Sequence, residues 1–139
     1  MKNIDLFNYR CFDKLTLIFS DKVNLLIGDN GSGKTTIIRA LNSILNSFFV
    51  GFSDENTNFV GLSKNDFRVV ESNSVLINEK PIKVDFLFLG RVASLELQSK
   101  KGRTLQKPLD PIYSLGKEIY DNLFKDDIQQ RDLPLFASF

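Results

Sequence analysis

The clearest chemical signal is one run of residues. Gly28-Asp29-Asn30-Gly31-Ser32-Gly33-Lys34-Thr35 fills every fixed position of the pattern G-x-x-x-x-G-K-[ST]. Glycines let such a loop curl and keep side chains out of its concavity, so successive backbone N–H groups converge on an anion. The first turn of a following helix adds unpaired N–H donors and the positive end of its dipole. Gly31, Ser32 and Gly33 supply the loop's N–H groups, and Lys34 brings a mobile positive charge to β- and γ-phosphate oxygens, which makes it the catalytic candidate. Thr35 offers a hydroxyl to Mg²⁺, Thr36 can donate toward an α-phosphate, and Asn30 sits at the crown of the loop, near where a γ-phosphate would lie. The expected ligand is ATP with Mg²⁺. A glycine turn capping an ordinary helix is the plainer alternative, disfavoured by the complete pattern and by both of its flanks.

Those flanks are a strand and a helix. Val23 to Ile27 is a compact apolar run with Asn24 its only polar member, and it feeds directly into the loop. After Lys34 the period changes: Ile37, Ile38, Leu41, Ile44, Leu45 and Phe48 recur at helical spacing, and Gly51 can end the helix in a left-handed conformation. Ahead of the loop, Ile4, Leu6 and Phe7 suggest a first strand, Asn8 to Cys11 a turn, and Leu15, Leu17 and Phe19 a half-buried second strand. Ser53 to Asp66 is polar and poorly periodic, a loop with scope to move. Strand signals then crowd together at Phe67 to Glu71, Val75 to Asn78, Ile82 to Leu89 and Val92 to Leu97. Turns are expected at Asn73-Ser74 and Glu79-Lys80, which predicts an antiparallel meander over residues 67–98. Ser99 to Asp110 reads as a second polar loop, residues 111–131 as an amphipathic helix, and residues 133–139 as a buried strand.

Composition bounds the rest. The chain has 139 residues, 42% apolar and 25% charged, which suits one domain with a hydrophobic core. Eighteen Lys or Arg against 17 Asp or Glu leave a net charge of +1, so no overall field draws the chain to nucleic acid or an anionic membrane. Lys100, Lys101, Arg103 and Lys107 form the densest basic cluster and read as a solvated loop. With no His and a single Cys, a structural Cys/His zinc site and an intrachain disulfide are excluded. The N-terminus does not look like a signal peptide, and no run approaches the roughly 18 apolar residues of a membrane span. The expectation is a cytoplasmic protein with no membrane partner.

The opening Lys2-Asn3-Ile4-Asp5-Leu6-Phe7-Asn8-Tyr9-Arg10-Cys11-Phe12, the strand Leu15 to Phe19 and the loop Gly28 to Thr36 together resemble the nucleotide-binding head of ABC-type ATPases in the SMC, RecF, Rad50 and OLD grouping. The match covers about the first fifty residues. Within the group the chain looks closest to the ATPases paired with HNH nucleases in Septu-type and retron-associated anti-phage systems. The resemblance implies an α/β fold: a P-loop NTPase, the N-terminal lobe of an ABC-ATPase head with an antiparallel meander. It also implies that Arg10 lies near the nucleotide, against the alternative of a surface salt bridge. Gln98, or less well Gln106, would be the glutamine that follows a strand after the first helix. Implied partners are a second head in a homodimer, an HNH-type nuclease and nucleic acid.

The family also needs a signature motif, a Walker B strand ending in Asp-Glu, and a switch histidine, and none is present in the sequence. Asp126-Asp127 follows a helical segment and does not fit Walker B. Phosphate-loop enzymes hold Mg²⁺ with the loop hydroxyl and a Walker B Asp together. The preferred expectation is therefore the incomplete N-terminal portion of a longer ATPase, with negligible hydrolysis from this chain alone. A complete, non-catalytic nucleotide-sensing module is the alternative. A small-molecule kinase fits less well, because two strands precede the loop strand and a meander follows the helix.

Overall fold

A computed structural model describes residues 1–52, 57–72, 75–77 and 80–125. Its centre is an antiparallel sheet built from two hairpins. The first pairs β1 (Asn3–Tyr9) with β2 (Phe12–Ile18), and the second pairs β5 (Ile82–Phe88) with β6 (Arg91–Leu97). β1 also pairs with β5, so the sheet runs β2-β1-β5-β6. The register explains the burial: Ile4 lies opposite Phe86, Leu6 opposite Val84, and Val84 in turn opposite Leu95. With period two, these residues share one face, and all are buried.

That face is covered by two helices, α1 (Lys34–Val50) and α2 (Asp110–Lys125). Ile37, Ala40, Ile44 and Phe48 of α1 form the buried stripe, joined by Leu109 just before α2 and by Ile112 and Leu115 in its first turns. Ser47 is buried in the same stripe and is satisfied by donating to the Ser43 carbonyl at 2.8 Å. The Phe48 ring sits edge-on to Phe49, Phe52 and Phe88, which ties the end of α1 to the sheet. The helices touch backbone to backbone: a Cβ on Gly116 would overlap the Phe48 carbonyl oxygen. Gly51 lies in the same crossing and caps α1 with φ −69°, a right-handed conformation rather than the left-handed one expected. It is glycine for closeness, not for chirality.

Two further expectations change. The strands after α1 do not make one meander: β3 (Val70–Ser72) and β4 (Val75–Ile77) form a separate two-stranded sheet, while β5 and β6 join the N-terminal hairpin. More telling is Val23 to Ile27, which pairs with no strand among the described residues. Val23 is 89%, Leu25 77% and Ile27 84% exposed. Of the segment's apolar residues Leu26 alone turns inward, onto an open groove of about 470 Å³ that it lines with Met1, Phe19, Leu41, Leu45 and Phe88 and with polar residues that include Asn24. A strand exists by exchanging backbone hydrogen bonds with a neighbour, and no described segment supplies one here. The helix expected over 111–131 is seen to Lys125; its remainder, the 133–139 strand and the turn at Asn73-Ser74 lie outside the described residues.

Candidate functional site: the phosphate loop and the turn beside it

The loop closes with a bond from the Ser32 N–H to the Asp29 carbonyl at 3.2 Å, and α1 starts immediately after it, the Ile37 N–H reaching back to the Gly33 carbonyl at 3.0 Å. Gly31 and Gly33 have φ of +87° and +93°, the left-handed region that a side chain disfavours. Gly33 is required twice over, since a Cβ there would overlap the Phe12 ring and lie 3.0 Å from Cys11 Sγ. With an αL residue at its N-cap and no side-chain cap, α1 leaves its first N–H groups open beside the loop.

Lys34 Nζ folds back over the loop, donating to the carbonyls of Gly28 at 2.5 Å and Asp29 at 2.7 Å and to Ser32 Oγ at 3.2 Å. The ammonium thus sits over the concavity, with loop dipoles standing in for the oxygens of an anion. Thr35 and Asn30 are exposed, and Thr36 is half-buried, its Oγ1 3.9 Å from Cys11 Sγ. Gly31 to Thr36 thus lie together along the loop and the first turn of α1, where backbone N–H groups and exposed hydroxyls could receive an anion. Among the described residues no three His, Cys, Asp or Glu side chains gather to hold a metal ion by themselves.

Arg10, which precedes Cys11 and Phe12 beside Gly33, is engaged by Asp66. Its Nε donates to Asp66 Oδ1 at 2.7 Å and its Nη2 approaches the same oxygen at 2.6 Å. Burial pulls the guanidinium's pKa down, yet the hydrogen bonds and charge of Asp66 outweigh it and raise the pKa above its ordinary value. Tyr9, in the core beside the pair, is raised by burial first and by the Asp66 charge second. A polar cleft of about 400 Å³ opens there, between Arg10 and Asp66 on one wall and Arg39, Asn42 and Asn46 of α1 on the other.

The sequence reading missed Asp66. Its available signal is local: Ser63-Lys64-Asn65-Asp66 has capping-box spacing, and the structure forms that box around a short 3₁₀ turn, Lys64–Asp66. Residues 57–66 are fastened rather than free. Asn46 accepts from the Val60 N–H at 2.6 Å and donates to the Asn58 carbonyl at 3.1 Å, while Thr104 Oγ1 accepts from the Leu62 N–H at 2.8 Å.

Gln98 is exposed just beyond β6, and no hydrogen bond joins it to the loop. Gln106 accepts from the Tyr113 hydroxyl at 2.6 Å, on the far side of β5 and β6 from the β1–β2 hairpin. Neither glutamine is brought to the phosphate loop. No described helix is long and apolar enough to cross a membrane.

Comparison with known proteins fits this geometry. The DNA replication and repair protein RecF of Clostridioides difficile strain 630 and that of Bacillus thuringiensis strain Al Hakam are each 49% identical to the chain over 41 residues. Those residues are 30% of this chain and 11% of each relative, so the match spans about a tenth of the curated relatives' length. A structure solved in work on the structural biochemistry of ATP-driven dimerization and DNA-stimulated activation of SMC ATPases superposes with a TM-score of 0.54. It covers 92% of this chain and 85% of that one at 16% identity, a likeness of fold: that of a P-loop NTPase head. A family model described as an AAA domain, AAA_23, matches residues 3–138, and the chain belongs to that AAA family.

Proposed function

We propose that this chain is the N-terminal, nucleotide-binding part of an ABC-type ATPase head that binds Mg·ATP at Gly28 to Thr36. The observation that carries the reading is the position of Lys34 Nζ, held by loop carbonyls above open helix N–H groups and two left-handed glycines. Phosphate oxygens would replace those carbonyls as its partners, Thr36 would face the α-phosphate, and Thr35 would hold Mg²⁺, which neutralises charge on the phosphates. The ordering of Asn30 over the γ-phosphate would make the loop sensitive to the terminal group.

Two features support a longer protein as the functional unit. Val23, Leu25 and Ile27 expose an apolar edge that feeds the loop, and the matched RecF relatives extend far beyond the matched stretch. In that protein two heads would clamp ATP between them, as the ATP-driven dimerization named for SMC ATPases suggests. Binding would drive closure in the cytoplasm, and the output would be control of a DNA- or RNA-directed partner. We place that partner in repair or in anti-phage defence, where an HNH-type nuclease, as in Septu-type and retron-associated systems, is the expected one.

A second reading is a nucleotide sensor without catalysis, which rests on the sequence having no apolar run that ends in Asp-Glu. Equilibrium binding of Mg·ATP together with phosphate release separates the two. The ATPase-part reading expects saturable binding by this chain, negligible release from it, and release restored in the longer protein. Binding with no release in either form supports the sensor, and no binding by the wild type refutes both.

A further inference from the structure

The turn between β1 and β2 is strained. Asn8 and Arg10 both have φ of +51°, unusual for residues with a Cβ. Such conformations persist when surrounding contacts over-determine them, and here the contacts are distant in sequence. The Arg10 N–H donates to the Asp66 carbonyl at 2.8 Å, the Arg68 N–H to the Asn8 carbonyl at 3.2 Å, and Asn8 Nδ2 to the Pro81 carbonyl at 3.1 Å. The Arg10 guanidinium then binds the Asp66 carboxylate, 56 residues along the chain. Asp66 is only 8% exposed, and its second oxygen accepts from the Ser63 N–H at 2.8 Å and the Ser63 hydroxyl at 3.0 Å. It is a built receptor for Arg10, not a chance surface partner.

The residues that follow Arg10 wall the phosphate loop. Phe12 and Cys11 occupy the space a Cβ on Gly33 would take, and Cys11 Sγ lies beside Thr36. Movement of the turn therefore moves the wall against which Gly33 and Thr36 are set. We propose that Asp66 is a positioning residue for nucleotide binding: through Arg10 it holds the β1–β2 turn in the shape that fixes Gly33 and Thr36. This rests on the reading of the loop as a Mg·ATP site. No hydrogen bond joins Asp66 to the loop among the described residues, so its effect on affinity is expected to pass through Arg10, and the cycle separates it from the Ser63 capping bonds.

The test is a double-mutant cycle read as affinity for a fluorescent Mg·ATP analogue, at a temperature where circular dichroism shows every variant folded. Arg10→Gln and Asp66→Asn are each expected to weaken binding about tenfold, and the double variant to be no weaker than either single one. Should Asp66→Asn not fold, Asp66→Glu combined with Arg10→Lys completes the same cycle, with the same non-additivity expected. Wild-type affinity in the Asp66 variant, or two effects that multiply in the double variant, overturns the proposal. Lys34→Ala keeps the two levels apart. If it binds as tightly as wild type, the loop reading fails; if it loses binding while Asp66→Asn does not, only the role of Asp66 fails.

Discussion

The molecule holds two apolar strand patterns with opposite fates. β5 alternates Ile82, Val84, Phe86 and Phe88 into a closed core, paired on both sides by β1 and β6. Val23 to Ile27 is a compact run just as apolar, yet Val23, Leu25 and Ile27 stand in solvent with no ladder among the described residues. Both runs have strand-forming composition, so apolar content alone does not decide the outcome. What differs is the supply of neighbours: hairpin connections bring β2 to β1 and β6 to β5, whereas the segment before the phosphate loop has no hairpin partner among the described residues.

The comparison breaks most sharply at Phe48, which is buried against Phe88 of β5. Phe48→Ala is expected to cost about 3–5 kcal/mol of unfolding free energy in a urea titration, and a loss under about 1 kcal/mol would mean the helix–sheet core is looser than its packing implies. A smaller effect comes from alkali. Burial holds Tyr9 above its ordinary value of 10.0, so the folded state keeps a proton that the unfolded chain loses. That stability is fully present below about pH 10 and is lost as pH rises through the folded pKa. Urea midpoints should be flat from Tyr9 up to about pH 9 and fall above 10, and Tyr9→Phe should reduce the fall, leaving the part due to Tyr113, which burial also raises. The smallest effect belongs to the unpaired segment. Leu25→Lys should change the stability of this chain by no more than about 0.5 kcal/mol; a large loss would show that Val23 to Ile27 is packed after all.

Much of this was legible in the sequence because it is local. The G-x-x-x-x-G-K-T run, the stripe from Ile37 to Phe48 and the alternation through β5 are set by residues within a few positions of one another, and each element appears where its pattern places it, with Ile38 alone of the stripe left 42% exposed. Neighbour choice was not legible. Alternation tells which face of a strand is buried but not which strand lies beside it, so the insertion of β1 between β2 and β5 and the separate β3–β4 sheet both escaped a meander reading. The Arg10–Asp66 pair escaped for the same reason, since nothing near Arg10 announces an acid 56 residues away. Gly51 was read as a terminator because glycine has two uses, and only the packing of α2 against it tells which applies.

The central claim is that Gly28 to Thr36 binds Mg·ATP through Lys34 and the open end of α1. Thermal unfolding of the wild type and Lys34→Ala, each with and without excess Mg·ATP, tests it most directly. Nucleotide at about a hundred times its dissociation constant adds roughly 2.7 kcal/mol to a protein that binds it only when folded, so the wild-type transition should rise by several degrees while that of Lys34→Ala stays in place. Equal shifts in the two proteins, or none in the wild type, would contradict the account.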